Sequence, residues 1–243
     1  MKKVILIITI TLLVVYNSYA CFDTYLFLKK SSMVYPYKSF ALELNGEYSV
    51  NKIKNPGEDS FLSNGNIYYG IAKRLSLQFS IGSDEKPRGE YKIDIFGLRG
   101  VYNVFASESN NHTADFIIEY RGGFSDFLGD VEFSVPNIFR NSEWTYVAHP
   151  TINYNLNEKN FQIGAHTGLF YNFNDNGIIG IGAEYLSPQS GSYSGTRITK
   201  SEFATSLFFG ANIGNTIFIQ NEIAKGLANS RDFGFAVTVK FIQ

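Results

Sequence analysis

The chain closes on Asp232–Gln243, DFGFAVTVKFIQ, in which Phe233, Phe235, Val237, Val239 and Phe241 alternate with Gly234, Ala236, Thr238 and Lys240. Alternation with period two marks a strand with one apolar and one wet face. Which solvent meets the apolar face decides the fold class. The same pattern recurs upstream: Phe40, Leu42, Leu44, Tyr48 and Val50 alternate with Ala41, Glu43, Asn45, Glu47 and Ser49, and Leu75, Leu77, Phe79 and Ile81 with Ser76, Gln78 and Ser80. Phe116, Ile118 and Tyr120 alternate with Asp115, Ile117, Glu119 and Arg121. In the second half Tyr146, Pro150, Ile152 and Tyr154 oppose His149, Thr151 and Asn153, then Phe161, Ile163, Leu169 and Tyr171 oppose Gln162, Gly164 and His166. Ile179, Ile181 and Tyr185 face away from Gly180, Gly182 and Glu184, while 202–213 and 216–223 alternate less cleanly.

Turn-forming clusters separate these segments: NKIKNPGEDSFLSN (51–64), SDEKPRG (83–89), SESNNH (107–112), NEKN (157–160), NDNG (174–177), PQSGSYSGTRITKS (188–201), GN (214–215) and GLANSRD (226–232). They leave no room for a second domain. An outer-membrane barrel normally has an even strand count. Reading VEFSVPNIF (131–139) as a short strand despite Pro136 brings the count to twelve, with ten as the alternative. Twelve strands place most of the long clusters on one side and the tight NDNG and GN turns on the other, the asymmetry of such barrels. Between Tyr91 and Val104 the apolar phase switches, with Ile93 and Ile95 in one register and Phe96, Leu98 and Tyr102 in the other, which predicts a β-bulge.

Alternation alone fits an exported soluble barrel or sandwich as well as a membrane barrel. Two features favour lipid. Whole aromatic rings (Tyr48, Tyr120, Trp144, Tyr146, Tyr154, Tyr171, Tyr185) stand near segment ends on the apolar face, as interfacial girdles do. The opposite face carries both signs of charge, which a lipid-facing surface does not tolerate but a lumen does. Lipid also requires every backbone polar group to be paired within the protein, so a spanning sheet must close on itself. The expected fold is an all-β, closed antiparallel up-and-down transmembrane barrel, monomeric, covering residues 37–243 after an N-terminal leader segment at 21–36.

MKKVILIITITLLVVYNSYA (1–20) has two lysines, an apolar run from Val4 to Tyr16, and small residues at Ser18 and Ala20, the pattern of a secretory signal peptide. The run is shorter than the roughly 20 residues of a spanning helix. Cys21 is the only cysteine, so no internal disulfide forms; it is either a bystander or the carrier of a lipid anchor. Aromatic residues make up 16% of the chain and charged residues 18%, and 21 basic against 22 acidic residues leave no basic excess for nucleic acid.

The strands FYNFNDNGIIGIGAEYLS (170–187) and NEIAKGLANSRDFGFAVTVKF (221–241) resemble those of small outer-membrane β-barrel proteins and, more loosely, of the transporter-like family named for the MetA pathway of phenol degradation. The resemblance implies an outer-membrane protein with a transport role and carries no defined functional residue. Outer-membrane proteins typically end on an apolar strand read by the barrel assembly machinery, usually with a final Phe; here Phe241 is followed by Ile242-Gln243.

Candidate chemistry sits on the wet faces. His149 and His166 fall on consecutive strands joined by NEKN and are expected opposite or two residues diagonal to one another. They read as polar lining residues, or as a metal- or pH-sensitive gate. Glu43, Glu47, Glu119, Arg121 and Glu184 share the inward phase; they would set the selectivity of a constriction or pair with each other across a narrow lumen. His112, in a turn-like stretch, forms no Ser-His arrangement of a lipid hydrolase, and no phosphate cradle or metal spacing is present. No cofactor is expected. The predicted function is a channel or transporter for a small solute, with two alternatives: a non-conducting structural or surface-interaction barrel displaying GEDSFLSN and SGSYSGTRIT, and a membrane-embedded hydrolase.

Overall fold

The computed structural model describes residues 32–50, 59–83, 86–87, 91–125, 127–174, 176–191, 200–214, 216–230 and 232–243. The expected signal peptide (1–20) and Cys21 lie outside the described residues. Fifteen strand segments follow one another: β1 (Phe40–Val50), β2 (Ser60–Ala72), β3 (Leu75–Ser83), β4 (Lys86–Pro87), β5 (Ile93–Ala106), β6 (His112–Gly123), β7 (Asp130–Ser134), β8 (Asn137–Asn141), β9 (Trp144–Asn155), β10 (Asn160–Asn172), β11 (Gly177–Leu186), β12 (Ser190–Gly191), β13 (Glu202–Ile213), β14 (Ile217–Ala228) and β15 (Phe233–Ile242). β4 and β12 are two-residue additions that pair with the ends of β2 and β10. β7 and β8 are two halves of one wall position. The result is a closed twelve-strand antiparallel barrel, each strand paired with its sequence neighbours and β15 with β1.

The alternation explains the closure. Leu98, Ile181 and Ile213 point outward and are 55%, 58% and 56% exposed, whereas the residues between them turn inward. Such a surface is stable only against lipid. Aromatic rings bracket the apolar band. At the end with the longer loops Phe96 packs against Tyr120, Phe124 and Phe127; at the end with the tight turns Phe139 lies between His112 and Tyr146, and Trp144 packs on Tyr171.

Pro136 interrupts the sixth wall position because it has no N–H to give the ladder. The gap is bridged by other donors: Asp115 N–H reaches the Pro136 carbonyl at 3.0 Å and Val135 N–H the Pro150 carbonyl at 3.2 Å. The bulge expected near Ile93 is present, where the register shifts between Gly82 and Ser83 opposite Ile95 and Ile93. A second shift, between Asn103 and Phe105, puts Val104 and Phe105 both outside. Gly214, at φ 66°, makes the tight turn into β14 in a conformation that side chains other than glycine disfavour.

Several sequence expectations need correction. Phe61–Asn64 belong to β2 and are paired in register with β1, so the first long loop ends before Ser60. Lys86–Pro87 is a strand addition rather than part of a turn. His112 opens β6 and stacks on Phe139 at 4.3 Å and 9°, an interfacial ring instead of a turn residue. Ile242-Gln243 are not a tail beyond the strand. Ile242 pairs with Ala41, and Gln243 exchanges backbone hydrogen bonds with Phe40 at 3.0 and 3.3 Å. Substituting the mid-strand, lipid-facing Ile181 by Arg is expected to destabilise the inserted barrel by about 2–4 kcal/mol, measured by reversible unfolding from lipid vesicles.

Candidate functional site

The interior of the barrel has two chemically different halves. Towards the end with longer loops it is polar, and one row of inward residues runs in register across six wall positions: Gln78, Arg99, Glu119, Glu132, Asn153 and Gln162. Opposite charges meet around Glu119. Arg121 Nε sits 2.5 Å from Glu119 Oε1, Arg99 Nε is 3.8 Å from Glu119 Oε2, and Arg99 donates to Gln78 Oε1 at 3.2 Å. Two guanidinium groups thus face the buried Glu119, and a carboxylate buried without such partners is costly.

A second row places His149 directly opposite His166, and His166 opposite Glu184. The imidazole centroids are 5.7 Å apart. Among the described residues no group of three or more His, Cys, Asp or Glu side chains is arranged to hold a metal ion.

The seam between β15 and β1 carries a third cluster. Glu43 and Lys240 are register partners, and Lys240 Nζ lies 2.9 Å from Glu43 Oε2 with its side chain wholly buried. Asn66 and Tyr68 donate to Glu43 Oε1 at 2.8 and 2.9 Å. The ammonium also stands 4.4 Å from the Tyr68 ring centroid and bonds the Tyr35 hydroxyl at 2.5 Å. Glu47, 2% exposed, flanks this cluster and accepts from Ser49.

Towards the tight-turn end an apolar cluster fills much of the lumen, beside the buried Asp115 and Asn103 and the Glu43–Lys240 pair. Val101, Ile117, Ile138, Val147, Phe170, Ile178, Phe208 and Phe218 point inward around Met33, which residues 32–36 carry into the barrel. Ser32 Oγ donates to Asp115 Oδ1 at 2.9 Å and Met33 N–H to Oδ2 at 2.7 Å, and Asn103 also donates to Oδ1 at 2.7 Å. Tyr35 stacks on Tyr68 with centroids 4.6 Å apart. Gly70 admits this segment, since a Cβ there would lie 1.8 Å from the Pro36 carbonyl oxygen.

The structure thus brings Glu119 to Arg121 and His149 to His166, and separates these pairs from Glu43 and Glu47 at the seam. Sequence reasoning missed Arg99, hidden by the phase switch around Ile95, and gave no role to Glu132, Asp115 or Lys240 although Asp115 and Lys240 were on wet faces. Met33 and Tyr35 lie in a stretch without periodicity. A trough of about 540 Å³ elsewhere, rimmed by Leu169, Ile181 and Leu207, opens on the outer wall and faces lipid instead of the lumen.

No protein-family model matches the chain, and no curated protein matches it. Solved structures do. An outer-membrane channel from Pseudomonas putida F1 superposes with a TM-score of 0.66 at 12% identity, over 86% of this chain and 96% of that one. The NanC porin gives 0.62 at 9% identity, over 82% and 98%. The KdgM porin, solved in complex with disordered oligogalacturonate, gives 0.56 at 11% identity, over 83% and 98%. The fold is therefore that of outer-membrane channel and porin barrels.

Replacing Lys240 by Met leaves Glu43 buried opposite an apolar chain and is expected to cost about 3–5 kcal/mol. Adding Glu43→Gln should recover most of that loss, and a double-mutant cycle of unfolding free energies measures the recovery.

Proposed function

We propose that this chain is an outer-membrane channel for a small hydrophilic solute. The reading rests on one observation: charged and hydrogen-bonding side chains from Gln78 to Gln162 form a continuous inward row inside a barrel whose outer wall is apolar. A lumen needed only for stability is more cheaply built from apolar side chains, because buried ion pairs are costly to desolvate. Glu119, Arg121, His149, His166 and Glu184 would line the path, with Glu43 and Glu47 beside the seam, and the alternating signs of Arg99, Glu119 and Arg121 would set ion preference at its narrow part. The likeness to channels and porins supports the same reading, as does the transporter-like resemblance of the C-terminal strands. The end carrying the tight turns, where β1 begins and β15 ends, would face the periplasm.

A second reading is favoured by the apolar plug around Met33: a non-conducting barrel that presents its longer loops to the outside. The two differ in a planar bilayer. Refolded protein is expected to give discrete current steps, and Glu119→Gln, which leaves Arg99 and Arg121 in excess, should move the reversal potential towards anion preference. Silence under applied voltage, both in the unaltered protein and in variants that empty the apolar half around Met33, overturns the channel reading.

A further inference from the structure

Residues 32–36 lie across the lumen yet belong to no strand. The segment is held by groups from across the barrel, and Met33 and Tyr35 are 0% and 1% exposed. Asp115 accepts from Ser32 and the Met33 N–H, Tyr35 seats between Tyr68 and Lys240, and Met33 fills the gap left by Phe170, Phe208 and Phe218. A hinge follows at once: Ser39 N–H bonds the Pro36 carbonyl at 3.0 Å, Lys38 N–H bonds the Gly70 carbonyl at 2.7 Å, and Lys38 adopts a left-handed φ of 66°. The contacts of Ser32, Met33 and Tyr35 are not rungs of the barrel ladder, which reaches no further than Lys38. The pairing of β1 with β15 and with β2 involves neither Met33 nor Tyr35, so the segment can leave while the wall stays closed.

We propose that residues 32–36 are a removable strap that shuts the tight-turn end of the lumen, with Asp115 as its catch. This rests on the channel reading. With the strap seated, Met33 blocks the apolar half; with it withdrawn, the space it fills joins the polar row to the far end. Asp115 is the natural release point, since its carboxylate supplies charge-assisted hydrogen bonds to two successive strap residues. The strap has two states whose balance those bonds bias.

The test has two readouts on the full chain refolded in lipid. Losing one charge-assisted hydrogen bond shifts such an equilibrium by about tenfold or more. Asp115→Ala is therefore expected to raise the open fraction in single-channel records by about that factor over the unaltered protein. A strap variant, Met33→Gly with Tyr35→Ala, should raise it as well and covers the case in which Asp115→Ala does not refold. The second readout is strap position: with Cys21→Ser as background, a thiol placed by Met33→Cys should react slowly with a membrane-impermeant maleimide, and about tenfold or more faster once Asp115→Ala is added. Fast labelling with Asp115 intact overturns the proposal, because the strap is then not seated. Accelerated labelling with unchanged current also overturns it, while currents in the unaltered protein keep the channel reading. Silence in every variant, with the strap thiol freely labelled, overturns both.

Discussion

The rest of the structure depends on the pairing of β15 with β1. A sheet in lipid cannot leave an edge, because each unpaired N–H or carbonyl in hydrocarbon costs several kcal/mol. Ten register pairs, from Ala41 with Ile242 to Val50 with Phe233, remove that edge. The seam is also where the interior is most tightly tied: Lys240 and Glu43 meet across it, with Asn66 and Tyr68 from β2 completing the carboxylate's hydrogen bonds. A lone buried ammonium would oppose closure. Paired, solvated by an aromatic face and bonded to a phenol, it fixes the register instead, since a one-residue slip would turn Lys240 into the lipid.

Closure leaves an interior that two kinds of packing fill differently. In the polar half, Arg99 and Arg121 bracket Glu119, so charge is kept inside at the cost of ordered partners. In the other half, inward Phe170, Phe208 and Phe218 make a conventional core, and Met33 completes it. The strap joins the halves chemically, with Tyr35 in the seam cluster and Met33 in the apolar one. Gly70 is where the wall gives way for it, a position at which any side chain would strike the Pro36 carbonyl.

Much of the wall was legible. The terminal alternation, the switch of phase near Ile95, and the strand hidden in VEFSVPNIF all have structural counterparts, because each is a local consequence of a residue facing lipid or lumen. The segments 202–213 and 216–223 were less legible for an equally physical reason. Phe208 and Phe218 point inward beside outward Phe209, Ile217 and Ile219, so both faces are apolar and period two fades. The first loop's limit was misjudged because Phe61–Asn64 directly follow a run of turn-forming residues and end on Ser63 and Asn64, yet they pair fully with β1. His149 and His166 were expected as neighbours, and the register made them direct partners.

The sequence by itself determined which residues face lipid and which face inward, because that division follows from side-chain alternation along each strand and needs no knowledge of partners. Only the tertiary structure decided what the inward residues meet. Lys240 finds Tyr35 from 205 positions away, and Asp115 finds Met33 from 82. Such contacts depend on register, which brings six wall positions into one polar row, and on residues 32–36, a stretch with no periodic signal. Alternation tells a side chain its direction; closure of the barrel gives it a partner.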